Sequence, residues 1–255
     1  MANKKIIIGN WKMNPLILKE AERLFNNIAK NVSAVKKTEI VVCPPFLYLE
    51  KLKKLSKKII LGAQDASWGD VGAFTGEVSA PMLYEIGARY VILGHSERRA
   101  MGESNGEINK KTKAALAGGL RPILCVGESA RDENHGYFSL VKNQIEECLD
   151  GVSKNSIAKI VIAYEPVWAI STTVYRKDAT PEDCREMAIF IRKILSDKFG
   201  NEASRIRIIY GGSVNERDAE GFLKEGNVDG LLPGRASLDA NKFSEIVKRC
   251  EALNK

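Results

Sequence analysis

With 255 residues, 44% hydrophobic and 28% charged, the chain has enough apolar material for a full core and the polarity of an ordinary globular protein. No apolar run approaches the ~20 residues that span a bilayer. The short strand-like run after Met1-Ala-Asn-Lys-Lys5 cannot serve as the apolar region of a signal peptide, so a cytoplasmic protein is expected. A net charge of +7 raises nucleic-acid binding, but the basic residues are interspersed with acidic ones, and no aromatic-basic interleaving suggests stacked bases. The densest basic run, Lys51 to Lys58, carries Leu52 and Leu55 and reads as a solvated helix face.

Strand-like runs fall at Lys5–Gly9, Glu39–Val42, Ile59–Ala63, Tyr90–Leu93, Pro122–Val126, Lys159–Tyr164, Ile206–Tyr210 and Val228–Leu232. Helical patterns alternate with them at Leu16–Lys30, Phe46–Lys54, Ala80–Ile86, Asn105–Ala117, Phe138–Leu149, Pro181–Phe199, Glu216–Lys224 and Ala240–Ala252. The run Thr180-Pro-Glu-Asp183 carries a cap and a first-turn proline. Eight strand-helix pairs with no linker predict one closed (β/α)8 barrel domain over residues 1–255, the TIM-barrel architecture. Five widely spaced cysteines (Cys43, Cys125, Cys148, Cys184, Cys250) and only two histidines argue against a disulfide framework or a metal site. The cysteines read as reduced core or helix-face thiols, and His135 as an exposed residue in a polar stretch.

Barrel chemistry sits at the C-terminal ends of the strands. Those ends carry Asn10 and Lys12 (strand 1), His95 and Glu97 (strand 4), Glu165 (strand 6), Gly211-Gly212-Ser213 (strand 7) and Gly234-Arg235 (strand 8). Glu165 closes an apolar run, and Pro166 stops the strand there. Read from its neighbours alone, it is either a desolvated base or a strand-end partner for a surface lysine. The glycine turns after strands 7 and 8 occupy the barrel's usual phosphate positions, where exposed N–H groups and a helix dipole favour an anion.

Seven segments resemble, in order, the triosephosphate isomerase family: Gly9-Asn-Trp-Lys-Met-Asn14, Gly62-Ala-Gln-Asp65, Gly72-Ala-Phe-Thr-Gly-Glu77, Val91-Ile-Leu-Gly-His-Ser-Glu-Arg-Arg99, Pro122-Ile-Leu-Cys-Val-Gly-Glu128, Tyr164-Glu-Pro-Val-Trp-Ala-Ile170 and Tyr210-Gly-Gly-Ser-Val214. The resemblance spans essentially the whole chain. It implies interconversion of dihydroxyacetone phosphate and D-glyceraldehyde 3-phosphate, a step of glycolysis and gluconeogenesis, without cofactor or metal. Removing a weakly acidic proton beside a carbonyl needs a base and donors for the enediolate oxygens. By resemblance, Glu165 is the base, desolvated by Pro166 and Trp168. Asn10, Lys12 and His95 are donors, with His95 acting as a neutral acid at the start of a helix, a pairing known in this family and taken over from it. Glu97 belongs to the same network near Lys12. Gly212, Ser213, Gly234 and Ser171 would bind phosphate through their N–H groups. Thr75 resembles the tip of a loop that enters a partner subunit, which implies a homodimer.

Two segments depart from the family pattern. The lid segment Ala169 to Glu182 is three residues longer than usual, and both its glycines are gone, Ser171 standing for one of them. Slower or less complete closure over the substrate is the expected consequence. Leu232-Pro-Gly-Arg235 replaces the usual Leu-Val-Gly-Gly, and Arg235 either reaches phosphate or points to solvent. The closest competing reading keeps the chemistry and enlarges the substrate to a four-carbon ketose phosphate. A phosphosugar-binding protein without turnover, a phosphate-binding barrel lyase and a nucleic-acid binder stand behind it.

Overall fold

The computed structural model of the protein describes residues 4–170 and 178–254. Eight parallel strands close on themselves in sequence order: β1 (Ile6–Asn10), β2 (Glu39–Cys43), β3 (Ile60–Ala63), β4 (Ala88–Leu93), β5 (Arg121–Val126), β6 (Val161–Tyr164), β7 (Arg207–Tyr210) and β8 (Gly230–Leu231). The last closes the ring by pairing with the first, Ile6 opposite Gly230 and Ile7 opposite Leu231. Among the described residues the outer layer holds α1 (Leu18–Asn31), α2 (Leu49–Lys53), α3 (Ala80–Glu85), α4 (Ser96–Ala100), α5 (Asn105–Ala117), α6 (Gly136–Cys148), α7 (Pro181–Phe199), α8 (Ala219–Glu225) and α9 (Ala240–Leu253). None of these helices is long and apolar enough to cross a membrane.

The strand sequences explain the two-layered core. A strand turns successive side chains to opposite faces, and here both faces are covered, so the strands are predominantly apolar, with charged residues kept near their N-terminal ends. Ile6 and Ile8 join Val41, Tyr90, Ile92, Ile123, Val161 and Ile209 inside the barrel. Ile7 between them packs outward with Phe25 and Ile28 of α1 in the layer under the helices. Ala21, Phe25 and Ile28 are the buried residues of α1, at the spacing that lines one helix face. The cysteines follow the expectation: all five are free and buried. Burial pushes the thiols of Cys148 and Cys250 up to about 11, out of the reactive range.

Capping fixes where helices begin. Ser104 and Glu107 form a reciprocal capping box on α5, and Thr180 and Asp183 form one on α7. Each such cap stabilises by about 1 kcal/mol. Several predicted boundaries shift. Lys159 belongs to a 3-10 turn rather than to β6, the predicted second helix begins as a 3-10 turn at Phe46–Tyr48, and β8 shortens to two residues.

Candidate active site

A cavity of 410 Å³ opens at the C-terminal end of the barrel, lined by Asn10, Lys12, His95, Ile170, Gly211 to Glu216, Leu232, Gly234 to Ala236, Leu238, Asp239 and Lys242. Its size suits a small ligand. Strands 1, 4, 7 and 8 thus deliver their predicted polar residues to one place.

Asn10 ends β1, buried at 6% exposure, and its carboxamide oxygen accepts the Lys12 N–H at 2.9 Å. That contact bends the chain so that Lys12 takes φ +51°, a left-handed conformation that side-chain-bearing residues rarely hold. Gln64 supports it by donating to the carbonyl of Lys12 at 2.8 Å and to that of Cys43 at 2.9 Å. The Lys12 ammonium therefore points into the cavity, where Glu97 Oε1 holds it at 2.6 Å.

His95 caps α4: its Nδ1 accepts the Glu97 N–H at 3.2 Å. An accepting Nδ1 places the proton of the neutral ring on Nε2. That nitrogen lies 3.3 Å from Glu165 Oε1. Glu165 is 2% exposed, and its Oε2 accepts the Ser96 N–H at 3.0 Å. Its Oε1 makes no hydrogen bond among the described residues. A buried carboxylate oxygen with unused acceptor capacity is costly in a purely structural role. Glu165 does not itself line the cavity; it sits just beneath the lining, beside Gly211.

Gly212 is fixed by packing: a Cβ there would overlap the Tyr210 hydroxyl, so the main chain runs close to the cavity wall. Ser213 and Gly234 line the same end, and a Cβ at Gly234 would touch the Lys12 side chain. Arg235 is exposed and lines the cavity. Ser171 lies outside the described residues, as does the lid segment over residues 171–177. Thr75 is exposed, in a loop beside exposed Val71 and Phe74, and does not line the cavity of its own chain. His135 is exposed, as expected.

Sequence reasoning missed three supporting groups. Gln64 lay within a recognised segment but had no assigned role. Ser96 acts through its main-chain N–H, which any residue but proline supplies. Ser237 donates to the carbonyls of Asn10 and Gly234, at 3.0 and 2.6 Å, tying the first and last strand ends together.

The sequence model of the triosephosphate isomerase family matches residues 5–250. The chain belongs to the triosephosphate isomerase family. Triosephosphate isomerases of Aquifex aeolicus and Thermoanaerobacter pseudethanolicus are each 45% identical to it, over 96% of this chain and 98% of theirs. The crystal structure of triosephosphate isomerase from Bartonella henselae superposes with a TM-score of 0.85 at 36% identity, covering 97% of this chain and 99% of that one. Family and fold agree with the barrel that the strand-helix alternation predicts.

Proposed function

We propose that Glu165, His95, Lys12 and Asn10 carry the isomerisation, with phosphate held by the turns after β7 and β8. The reaction comes with the family: the chain is an isomerase that interconverts dihydroxyacetone phosphate and D-glyceraldehyde 3-phosphate. The observation that carries the residue assignment is Glu165 Oε1, buried and without a hydrogen bond, 3.3 Å from His95 Nε2.

In this reading Glu165 takes the proton from the carbon beside the carbonyl and returns it to the neighbouring carbon. A turn of its side chain away from the Ser96 N–H brings the carboxylate to the substrate. His95 Nε2–H and the Lys12 ammonium face the two oxygens on which negative charge develops, and Asn10 holds Lys12 in place. Donors fixed before the reaction need no reorganisation during it. Glu97 keeps the ammonium aimed and, through its N–H, keeps His95 Nδ1 an acceptor. Gly212, Ser213 and Gly234 offer main-chain N–H groups to the phosphate. Arg235, exposed at the rim, adds positive charge there. Ser171 would supply one more N–H. The reading requires neither cofactor nor metal, and the whole chain acts as one barrel domain.

A homodimer fits the exposed apolar groups near this end of the barrel, Met13, Leu16, Val71, Phe74 and Met82 among them, with Thr75 carried into the partner. A cytoplasmic location fits a glycolytic enzyme.

The test is isomerase activity of the purified protein with Glu165→Asp in parallel. High kcat/KM in the wild type and a fall of about 10² or more in the variant are expected. An unchanged variant would remove Glu165 as the base. Better turnover of a four-carbon ketose phosphate than of the triose phosphates would move the substrate assignment.

A further inference from the structure

Behind Glu165 lies a second carboxylate that the reaction does not touch. Glu128 follows β5, and its side chain is 1% exposed. One oxygen, Oε1, accepts three hydrogen bonds: from the Tyr164 hydroxyl at 2.8 Å, from Trp168 Nε1 at 2.8 Å and from Arg131 Nε at 3.3 Å. Two of these donors flank the proposed base in sequence. Tyr164 immediately precedes Glu165, and Trp168 lies in the 3-10 turn Val167–Ala169 that follows it. The main chain runs equally close. Glu165 N–H donates to the Val126 carbonyl at 2.8 Å, and Val167 N–H to the Glu128 carbonyl at 2.9 Å. A Cβ at Gly127 would overlap the Glu165 carbonyl, so the two segments lie flush.

A buried carboxylate holds this position only if its charge is balanced. Arg131 balances it and does more. Its Nη1 reaches Asp183 Oδ1 and Glu186 Oε2, both at 2.9 Å, and its Nη2 reaches the Asp183 carbonyl at 3.2 Å and the Tyr164 hydroxyl at 3.3 Å. The guanidinium also lies over the rings of Trp168 and Tyr137, at 5.3 and 5.2 Å. One side chain thus joins the loop after β5, the end of β6, the turn after Glu165 and the first turn of α7. Only a planar fork of donors makes these contacts together.

We propose that Arg131 is a positioning residue of the isomerisation: by neutralising Glu128 and tying it to α7, it fixes Tyr164 and Trp168 and so aims Glu165. It does not line the cavity and touches no substrate. The inference rests on Glu165 being the base. Small displacements of a reacting group cost large factors in rate while leaving ground-state binding intact.

The experiment compares wild type, Arg131→Met, Arg131→Lys and Glu165→Asp. For each, kcat and KM for the triose phosphates are measured, with inhibition by inorganic phosphate and by a phosphorylated hydroxamate that mimics the enediolate. Arg131→Met is expected to lower kcat about tenfold or more. Its KM and phosphate inhibition should stay within about twofold, and hydroxamate affinity should fall by the same factor as kcat. Arg131→Lys should recover part of the loss, because it restores charge without the fork. Wild-type kcat in folded Arg131→Met overturns the proposal, and so does an equal loss of kcat and phosphate affinity, which marks general loosening. If Arg131→Met does not fold, Arg131→Lys decides by the same criteria. Full activity in Glu165→Asp would instead remove the base assignment, whereas its usual collapse beside an unaffected Arg131→Met removes only the role of Arg131.

Discussion

The two ends of this barrel treat buried polar groups in opposite ways. At the N-terminal end Glu39, Arg121 and Arg207 are each the first residue of a strand, and Tyr90 enters between them from β4. The Tyr90 hydroxyl donates to Glu39 and accepts from Arg207 at 2.7 Å and from Arg121 at 3.1 Å, while Arg207 also bonds Glu39 at 3.0 Å. Both guanidinium groups lie against the Tyr90 ring. Four strands are stitched together, and every partner is used. At the C-terminal end, Glu165 Oε1, Tyr210 Oη, Trp11 Nε1 and Glu128 Oε2 are buried with no hydrogen-bond partner among the described residues. Saturated groups hold a fold; the unsaturated Glu165 Oε1, just beneath the cavity lining, keeps capacity for a substrate. The closed end stabilises, and the open end gives up some stability in exchange for reactivity.

The sharpest way to break this comparison is Glu165→Gln. Loss of the base should lower kcat by about 10³. Resistance to urea should stay level or rise, because a buried carboxyl oxygen without a hydrogen bond leaves the interior. A large loss of stability would show that Glu165 is structural after all. At the other end, Tyr90→Phe should do the reverse. It leaves a half-buried glutamate and arginine pair short of a partner, and about 1–3 kcal/mol of unfolding free energy should disappear in urea titrations at fixed protein concentration. kcat should be unchanged, and a fall in it would mean the two ends are coupled.

The smallest expected effect concerns pH. Glu251 on α9 accepts N–H bonds from Lys36, Lys37 and Thr38 and a hydroxyl bond from Thr38. Partial burial works against its charge, but these hydrogen bonds outweigh that and bring the carboxyl down from 4.5 to about 2. A depressed folded-state value means stability that is fully present above about 4.5 and lost as pH falls through about 2. Glu251→Gln should therefore flatten the acid limb of the stability profile and leave activity at neutral pH untouched. An acid limb identical to the wild type would show that this carboxylate contributes nothing.

Much of this was legible in the chain, for identifiable reasons. Strands such as Ile6-Ile7-Ile8 declare themselves because burial on both faces leaves no polar position. Asn105–Ala117 and Pro181–Phe199 were delimited correctly because their caps are local. Asn10, Lys12, His95, Gly212, Ser213, Gly234 and Arg235 line one cavity, and Glu165 lies beneath it, because strand ends are where barrel chemistry accumulates. What stayed hidden depends on distant partners. Glu128 and Arg131 draw their meaning from Tyr164, Trp168, Asp183 and Glu186, all more than thirty residues away. No spacing rule connects them. The 3-10 start before β6 and the short β8 escaped because apolar runs do not record where pairing begins. At Gly230 the Ile6 carbonyl approaches so closely that no side chain fits, which only the closed ring imposes.

The left-handed turn at Lys12 has a consequence for anyone improving the protein by directed evolution. A library selected for heat tolerance alone would favour glycine or asparagine at position 12, since either relaxes a conformation worth about 1–2 kcal/mol of strain. It would thereby discard the ammonium beside Glu97. Selection for survival and selection for turnover pull this one backbone position in opposite directions, so a screen should score both from its first round.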